Sequence, residues 1–150
     1  MENRLNSNVN FPPPPYKCNG PASRAMLTIF AIPKPFHEQN GVIQLNAIQS
    51  WLQLSPPCEI ILFGDEEGTA ETAERFGTRH VPCVERKEYG TPLVSALFDA
   101  AQESASNKLI CYINADIILM SDFLPAIGRI HSESFLCVGR RWDIDLKESL

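Results

Sequence analysis

Three stretches of the chain, "MLTIFAI" from Met26, "EIILFG" from Glu59 and "KLICYI" from Lys108, are apolar almost throughout rather than at alternate residues. A strand with one wet face alternates apolar and polar side chains, because successive residues point to opposite sides of the sheet. Strands that are apolar on both faces must be covered on both, as parallel strands are when crossover helices pack above and below them.

The segments between these runs have helical texture. "GVIQLNAIQSWLQL" sets Ile43, Ala47, Ile48, Trp51 and Leu52 on one helical face, with Gln44, Asn46, Gln49, Ser50 and Gln53 largely elsewhere, and Pro56-Pro57 ends it. After the second strand a short helix is expected, N-capped by Thr69 and terminated by Gly77. "HVPCVE" reads as a weaker third strand. Thr91-Pro92 reads as an N-cap followed by a first-turn proline, opening a helix with the stripe Leu93, Val94, Leu97, Phe98 and Ala101. "SDFLPAIGRI" predicts a further helix capped by Asp122 with Pro125 at its third position, and "FLCVG" predicts a fifth strand. The expected fold class is α/β: an open, mostly parallel twisted sheet with helices on both faces, Rossmann-like. Residues 1–24 hold Pro12 to Pro15 and Asn19-Gly20-Pro21, and read as an extended tail ahead of a domain over 25–150.

Composition narrows the function classes. The 150 residues are 44% hydrophobic and 21% charged, which permits a real core, and the net charge of −5 lacks the basic patch that nucleic acid requires. Nucleic acid is therefore not an expected partner, and no apolar run is long enough to span a membrane. The five cysteines are scattered without Cys-x-x-Cys spacing, and Cys58, Cys83, Cys111 and Cys137 sit in or beside apolar runs. They read as buried thiols in a reducing compartment, and the chain as cytoplasmic. His37, His80 and His131 have no ligand spacing to one another. Neither Gly-x-Gly-x-x-Gly, a P-loop nor Gly-x-Ser-x-Gly is present.

In open α/β sheets ligands enter at the carboxyl ends of the strands, so the polar residues there carry the functional information. Strand four runs into Asn114-Ala115-Asp116. In extended backbone Asn114 and Asp116 project the same way and can present two oxygens to one Mg²⁺ or Mn²⁺, or else both shape a turn. Asp65 ends strand two either as an acceptor for ribose hydroxyls or as the start of a solvated acidic turn with Glu66 and Glu67. Lys34, between Pro33 and Pro35, either approaches a phosphate or is solvated. Arg140 and Arg141 can pair with a diphosphate, or one of them with Asp143 or Asp145. Trp142 can stack on a sugar or pack at the sheet edge.

The segment "INADIILMSDFL", preceded one helix earlier by "EYGTPLVSALFDAAQ", resembles the metal-binding region of GT-A-fold glycosyltransferases, where an Asp-x-Asp motif ends a buried strand. "LTIFAIPKPF" and "EIILFGDEEG" are similar to that family's first two βα units, whose strand ends hold base and ribose. The resemblance covers residues 27 to about 146. It implies a domain that binds a nucleotide-diphosphate sugar and transfers the sugar to an acceptor. Ile32, Pro33, Lys34, Asp65, Gly90, Thr91 and Ala115 would surround the nucleotide, Arg140 and Arg141 the diphosphate, and Asn114 and Asp116 a divalent Mn or Mg. Two departures stand out. Asn114 replaces the first acidic residue, and the family's acceptor half, with its base, lies in sequence beyond Leu150. The resemblance thus implies a domain incomplete at its C-terminus, with an apolar sheet face open to homo-oligomer formation. A non-catalytic relative acting as a binding or scaffolding module is the alternative. Sugar nucleotidyltransferases fall behind, because "IPKPFHEQNG" replaces their Gly-rich, Arg-bearing loop.

Overall fold

A computed structural model describes residues 27–143. Its elements follow in the order β1 (Leu27–Ala31), α1 (Glu38–Leu52), β2 (Glu59–Phe63), α2 (Thr69–Phe76), β3 (Arg79–Val81), α3 (Val94–Ser104), β4 (Leu109–Tyr112) and α4 (Phe123–Ile127). The strands form one open sheet, β3-β2-β1-β4, and every pairing is parallel. The α/β architecture expected from the apolar runs is the architecture observed.

β1 is the axis of the sheet. All five of its residues are buried, and its alternate side chains feed two separate cores. Leu27, Ile29 and Ala31 join Ile60 and Leu62 of β2 under Ala47, Ile48 and Trp51 of α1 and Ala73 of α2. Phe30 joins Ile61 and Phe63 beneath Leu97 and Ala101 of α3. Thus α1 and α2 cover one face and α3 the other, which is what right-handed crossovers produce when the chain steps outward from β1 to β3 and then returns across the sheet to β4.

The residues after β4 return to the α1 face. Trp51 Nε1 donates to the Ile117 carbonyl at 2.8 Å and the Leu119 N–H donates to Ser50 Oγ at 3.0 Å. Phe123, Leu124 and Ile127 then pack on the same core as α1. Asp122 is the N-cap residue and Pro125 the third residue of this short helix, as the sequence suggests.

Several local expectations are corrected. The fifth strand does not form: residues 135–139 carry no strand pairing, and Leu136 and Val138 are 90% and 83% exposed. With α4 on the α1 face, a parallel strand added outside β4 would close a left-handed crossover, which parallel sheets avoid. The third strand is only Arg79–Val81, because Pro82 follows and cannot donate to a ladder. α1 starts at Glu38, ahead of Gly41, and Gln44 and Asn46 are buried rather than turned outward. Gly68, not Thr69, is the N-cap of α2, whereas Gly77 ends that helix in the left-handed conformation as expected. The N-cap of α3 is Leu93, because Pro92 is engaged in an antiparallel bridge with Arg86 and the Thr91 carbonyl accepts from the Lys87 N–H. The cysteines are not all buried: Cys58 and Cys111 are half-buried, Cys83 and Cys137 exposed, and these four are free. The tail expected over residues 1–24, Cys18 and Asp145 lie outside the described residues.

A polar tie secures the amino ends of the strands. Glu59 accepts from Thr28 Oγ1 at 2.5 Å, and from the Ser106 N–H and hydroxyl at 2.8 Å each, while Asn107 Nδ2 donates to Thr28 Oγ1 at 3.0 Å. Partial desolvation pushes the Glu59 carboxyl up, but these hydrogen bonds and the charge of Arg79 outweigh it and leave the group below its ordinary value. A depressed folded-state value adds stability above the unfolded glutamate value of about 4.3 and loses it as pH falls through the folded value. Glu59→Gln should therefore flatten the acid limb of the stability curve below about pH 4.3 while costing stability at neutral pH, as read by urea midpoints across pH. Trp51 offers a second check. Trp51→Ala should cost about 3–5 kcal/mol. Trp51→Phe, which keeps the ring and strands the Ile117 carbonyl, should cost about 1–3 kcal/mol.

Candidate functional site

In this strand order the winding reverses between β1 and β4, because α1 leaves β1 on one face and α3 delivers the chain to β4 from the other. A crevice opens at the carboxyl ends of two such strands. A cavity of about 380 Å³ lies there, between the segment that follows β1, the first half of α1 and the turn that follows β4.

The β1 side is held rigid from within. The buried side-chain amide of Gln44 reads the backbone of Lys34 at both ends, accepting from its N–H at 2.7 Å and donating to its carbonyl at 2.9 Å. Further along, the Phe36 N–H donates to the Glu67 carbonyl at 2.9 Å. That approach requires Gly68: its φ is +85°, and a Cβ there would stand 2.7 Å from Phe36 Cβ. Ile32 and Pro33 line the floor, and the Lys34 side chain is exposed at the mouth.

The β4 side is a turn. Ile113 is still tied to the sheet through its N–H to the Phe30 carbonyl, at 3.1 Å, but the Ile117 N–H then donates to the Asn114 carbonyl at 3.1 Å. Asn114 and Asp116 thus occupy a tight turn instead of extended backbone. They both shape that turn and line the crevice, exposed on either side of buried Ala115. Tyr112 supports them. Its ring rests against Phe30 and Phe98, with centroids 5.6 and 5.9 Å away, and its hydroxyl donates to Asn114 Oδ1 at 3.1 Å. Desolvation, then the neighbouring charge of Asp116, pushes the Tyr112 hydroxyl up, so it stays a proton-bearing donor at neutral pH.

A residue that sequence reasoning missed organises the third side. Arg86 donates to Asp65 Oδ1 at 2.9 Å, to Glu66 Oε1 at 3.1 Å and to the Gly90 carbonyl at 3.0 Å. It staples the 85–93 excursion to the end of β2. Asp65 is consequently an ion-pair partner that does not line the crevice, whereas its neighbour Glu66 does. Gly90 and Thr91 stand on that excursion outside the crevice lining, which Pro92 joins. Arg140 and Arg141 lie on the exposed segment beyond α4, away from the crevice lining, and Arg141 pairs with Asp143 at 3.1 Å. Trp142 is 93% exposed. Of the expected residues the fold brings together Ile32, Pro33, Lys34, Asn114, Ala115 and Asp116, and it adds Asn40, Ile43, Gln44, Glu66 and Tyr112.

The crevice chemistry is that of small polar and charged groups. Asp116 makes no hydrogen bond or ion pair with another described residue, and Lys34 has no ion-pair partner among them. Among the described residues no three His, Cys, Asp or Glu side chains converge as a metal cage. One carboxylate and one amide oxygen do fit a Mg²⁺ or Mn²⁺ whose remaining ligands are phosphate oxygens and water. Two of the thiols are unsuited to nucleophilic work: burial, with smaller contributions from Cys58 and Cys137, pushes Cys111 up to about 11, and burial raises Cys58.

No family model, curated protein or solved structure matches the chain. Gln44→Leu should loosen the crevice wall by leaving the Lys34 N–H and carbonyl unpaired. The expected cost is on the order of 1–3 kcal/mol by denaturation, with faster amide exchange at Lys34. Unchanged exchange there would show that the loop is held by its prolines alone.

Proposed function

We propose that the crevice between β1 and β4 binds the diphosphate of a nucleotide-diphosphate sugar, and that the domain serves sugar transfer of the glycosyltransferase type. The observation that carries this reading is the meeting of Lys34, Asn114 and Asp116 at the point where the sheet reverses its winding. Ligands favour that crevice in open α/β sheets. An ammonium opposite a carboxylate-amide pair suits a phosphate chain that brings its own divalent cation.

Each residue has a definite task in this scheme. Lys34, its backbone locked by Gln44, supplies positive charge to the phosphates. Asn114 and Asp116 offer oxygens to the cation, and the Tyr112 hydroxyl fixes the rotation of the Asn114 amide. A bound Mg²⁺ or Mn²⁺ would supply Lewis-acid stabilisation of charge growing on the leaving diphosphate. Asn114 contributes no charge of its own, so the site holds a cation jointly with nucleotide instead of alone. Free thiols at four described positions fit a reducing compartment such as the cytoplasm. Among the described residues, no helix is long and apolar enough to cross a membrane.

A non-catalytic binding module on the same fold is the second reading, and one observation favours it. Glu66 is tied to Arg86, which leaves Asp116 as the one unpaired carboxylate lining the crevice among the described residues. A transferase of inverting type needs a further base within reach of an acceptor hydroxyl.

Calorimetric titration with a panel of nucleoside diphosphates, with and without manganese, tests the proposal. Manganese should tighten binding, and Asp116→Ala should abolish that gain, about tenfold or more in Kd, about 1.4 kcal/mol, with the melting temperature unchanged. Asn114→Asp should tighten it further by adding charge. Absence of nucleotide binding, or an Asp116→Ala variant that binds as wild type, overturns the reading. Binding without sugar release in the presence of acceptors selects the module.

A further inference from the structure

The excursion between β3 and α3 carries a two-stranded hairpin over residues 85–93. The Lys87 N–H donates to the Thr91 carbonyl at 2.8 Å, the Leu93 N–H to the Glu85 carbonyl at 2.9 Å, and the Gly90 N–H closes the tip on the Lys87 carbonyl at 2.8 Å. Residues 87–91 are all exposed, with Tyr89 at the tip 92% exposed. An isolated two-stranded hairpin is marginally stable in water, because one pair of strands buries too little apolar surface to offset the ordering of its backbone. This one needs an anchor.

The anchor is one guanidinium. Arg86 donates to Asp65 Oδ1 at 2.9 Å and Glu66 Oε1 at 3.1 Å at the end of β2, and to the Gly90 carbonyl at 3.0 Å across the hairpin itself. It lies against Gly64, with Nη2 3.7 Å from the position a Cβ there would take. No other hydrogen bond or ion pair joins residues 85–92 to the rest of the described chain. Val84, just before the hairpin, packs on the core of the α3 face.

We infer that the hairpin is a strap across the β2 end of the crevice, latched by Arg86, and that it lifts off and unravels when the latch breaks. Two walls of the crevice belong to this device: Glu66, which Arg86 holds, and Pro92, which stands on the strap and bridges to Arg86. A ligand that fills the crevice meets both walls only in the latched form, so occupancy and latching strengthen each other by the same factor. That coupling rests on the nucleotide binding proposed for the crevice, whereas the latch itself does not. An ionic latch weakens in salt, because screening reaches partly exposed pairs, and Asp65 and Glu66 are 74% and 32% exposed.

Chymotrypsin cleavage after Tyr89 reads the open population, since a protease takes extended chain and the flanking hairpin bonds must first break. Arg86→Gln should raise that rate about fivefold or more with the melting temperature little changed. Arg86→Lys, whose single ammonium cannot serve two carboxylates and a carbonyl as a fork does, should fall between. Sodium chloride should speed cleavage of the wild-type chain, measured against an unstructured peptide substrate that corrects for the protease's own salt response. This arm decides the latch even if the variant does not fold. A nucleoside diphosphate with manganese should slow the wild-type cleavage, and should bind Arg86→Gln more weakly. Equal cleavage of wild type and Arg86→Gln, or cleavage insensitive to salt, overturns the latch. Nucleotide that binds by calorimetry without slowing cleavage overturns the coupling of strap to crevice. Nucleotide that fails to bind overturns the function proposed for the crevice, while the latch stands or falls on the salt and variant arms.

Discussion

Complete burial of β1 is the constraint from which the rest of this structure follows. A strand with no wet face must be flanked by strands on both edges and by helices on both sides, so α1 and α3 are forced to opposite faces of the sheet. Helices on opposite faces mean opposite directions of travel, and opposite directions mean a reversal beside β1. The crevice is where that reversal leaves the strand ends uncovered. It is thus a consequence of burying Leu27–Ala31, and its polar lining marks the place where the covering layers part.

The two ends of the sheet are treated differently. At the amino ends, Thr28, Glu59, Ser106 and Asn107 satisfy one another within the chain. At the carboxyl ends, Asp116 and Lys34 have no such partners among the described residues, while the groups that hold them in place are fully engaged: Gln44 on Lys34, Tyr112 on Asn114, Arg86 on Glu66. Rigid support beneath unengaged polar groups is the arrangement that recognition of a ligand needs, because ordering costs are met in folding and not in binding.

Much of this was legible in the sequence, for reasons that also mark where legibility stops. The apolar runs identified β1, β2 and β4 because a parallel strand is written in its own side chains. The strand-end residues Lys34, Asn114 and Asp116 followed from fold class alone. Gln44 and Arg86 did not. A glutamine on the margin of an amphipathic stripe looks solvated until the Lys34 backbone is placed against it, and an arginine between a glutamate and a lysine looks like surface until β2 ends beside it. The same limit explains Thr91-Pro92, whose capping signal is genuine but whose residues are already committed to the bridge with Arg86.

Residues 135–139 show the opposite failure, in which local propensity is correct in kind and the tertiary partner is missing. β-branched and aromatic side chains express how well a residue fits a pleated, half-buried surface, and they carry no information about whether such a surface is within reach. Here a parallel site beside β4 is denied by handedness: once Trp51 and Ser50 capture the Ile117–Leu119 stretch, the chain is committed to the α1 face. Parallel pairing could then be gained only by releasing those two hydrogen bonds and the apolar contacts of α4, or by crossing with the wrong hand.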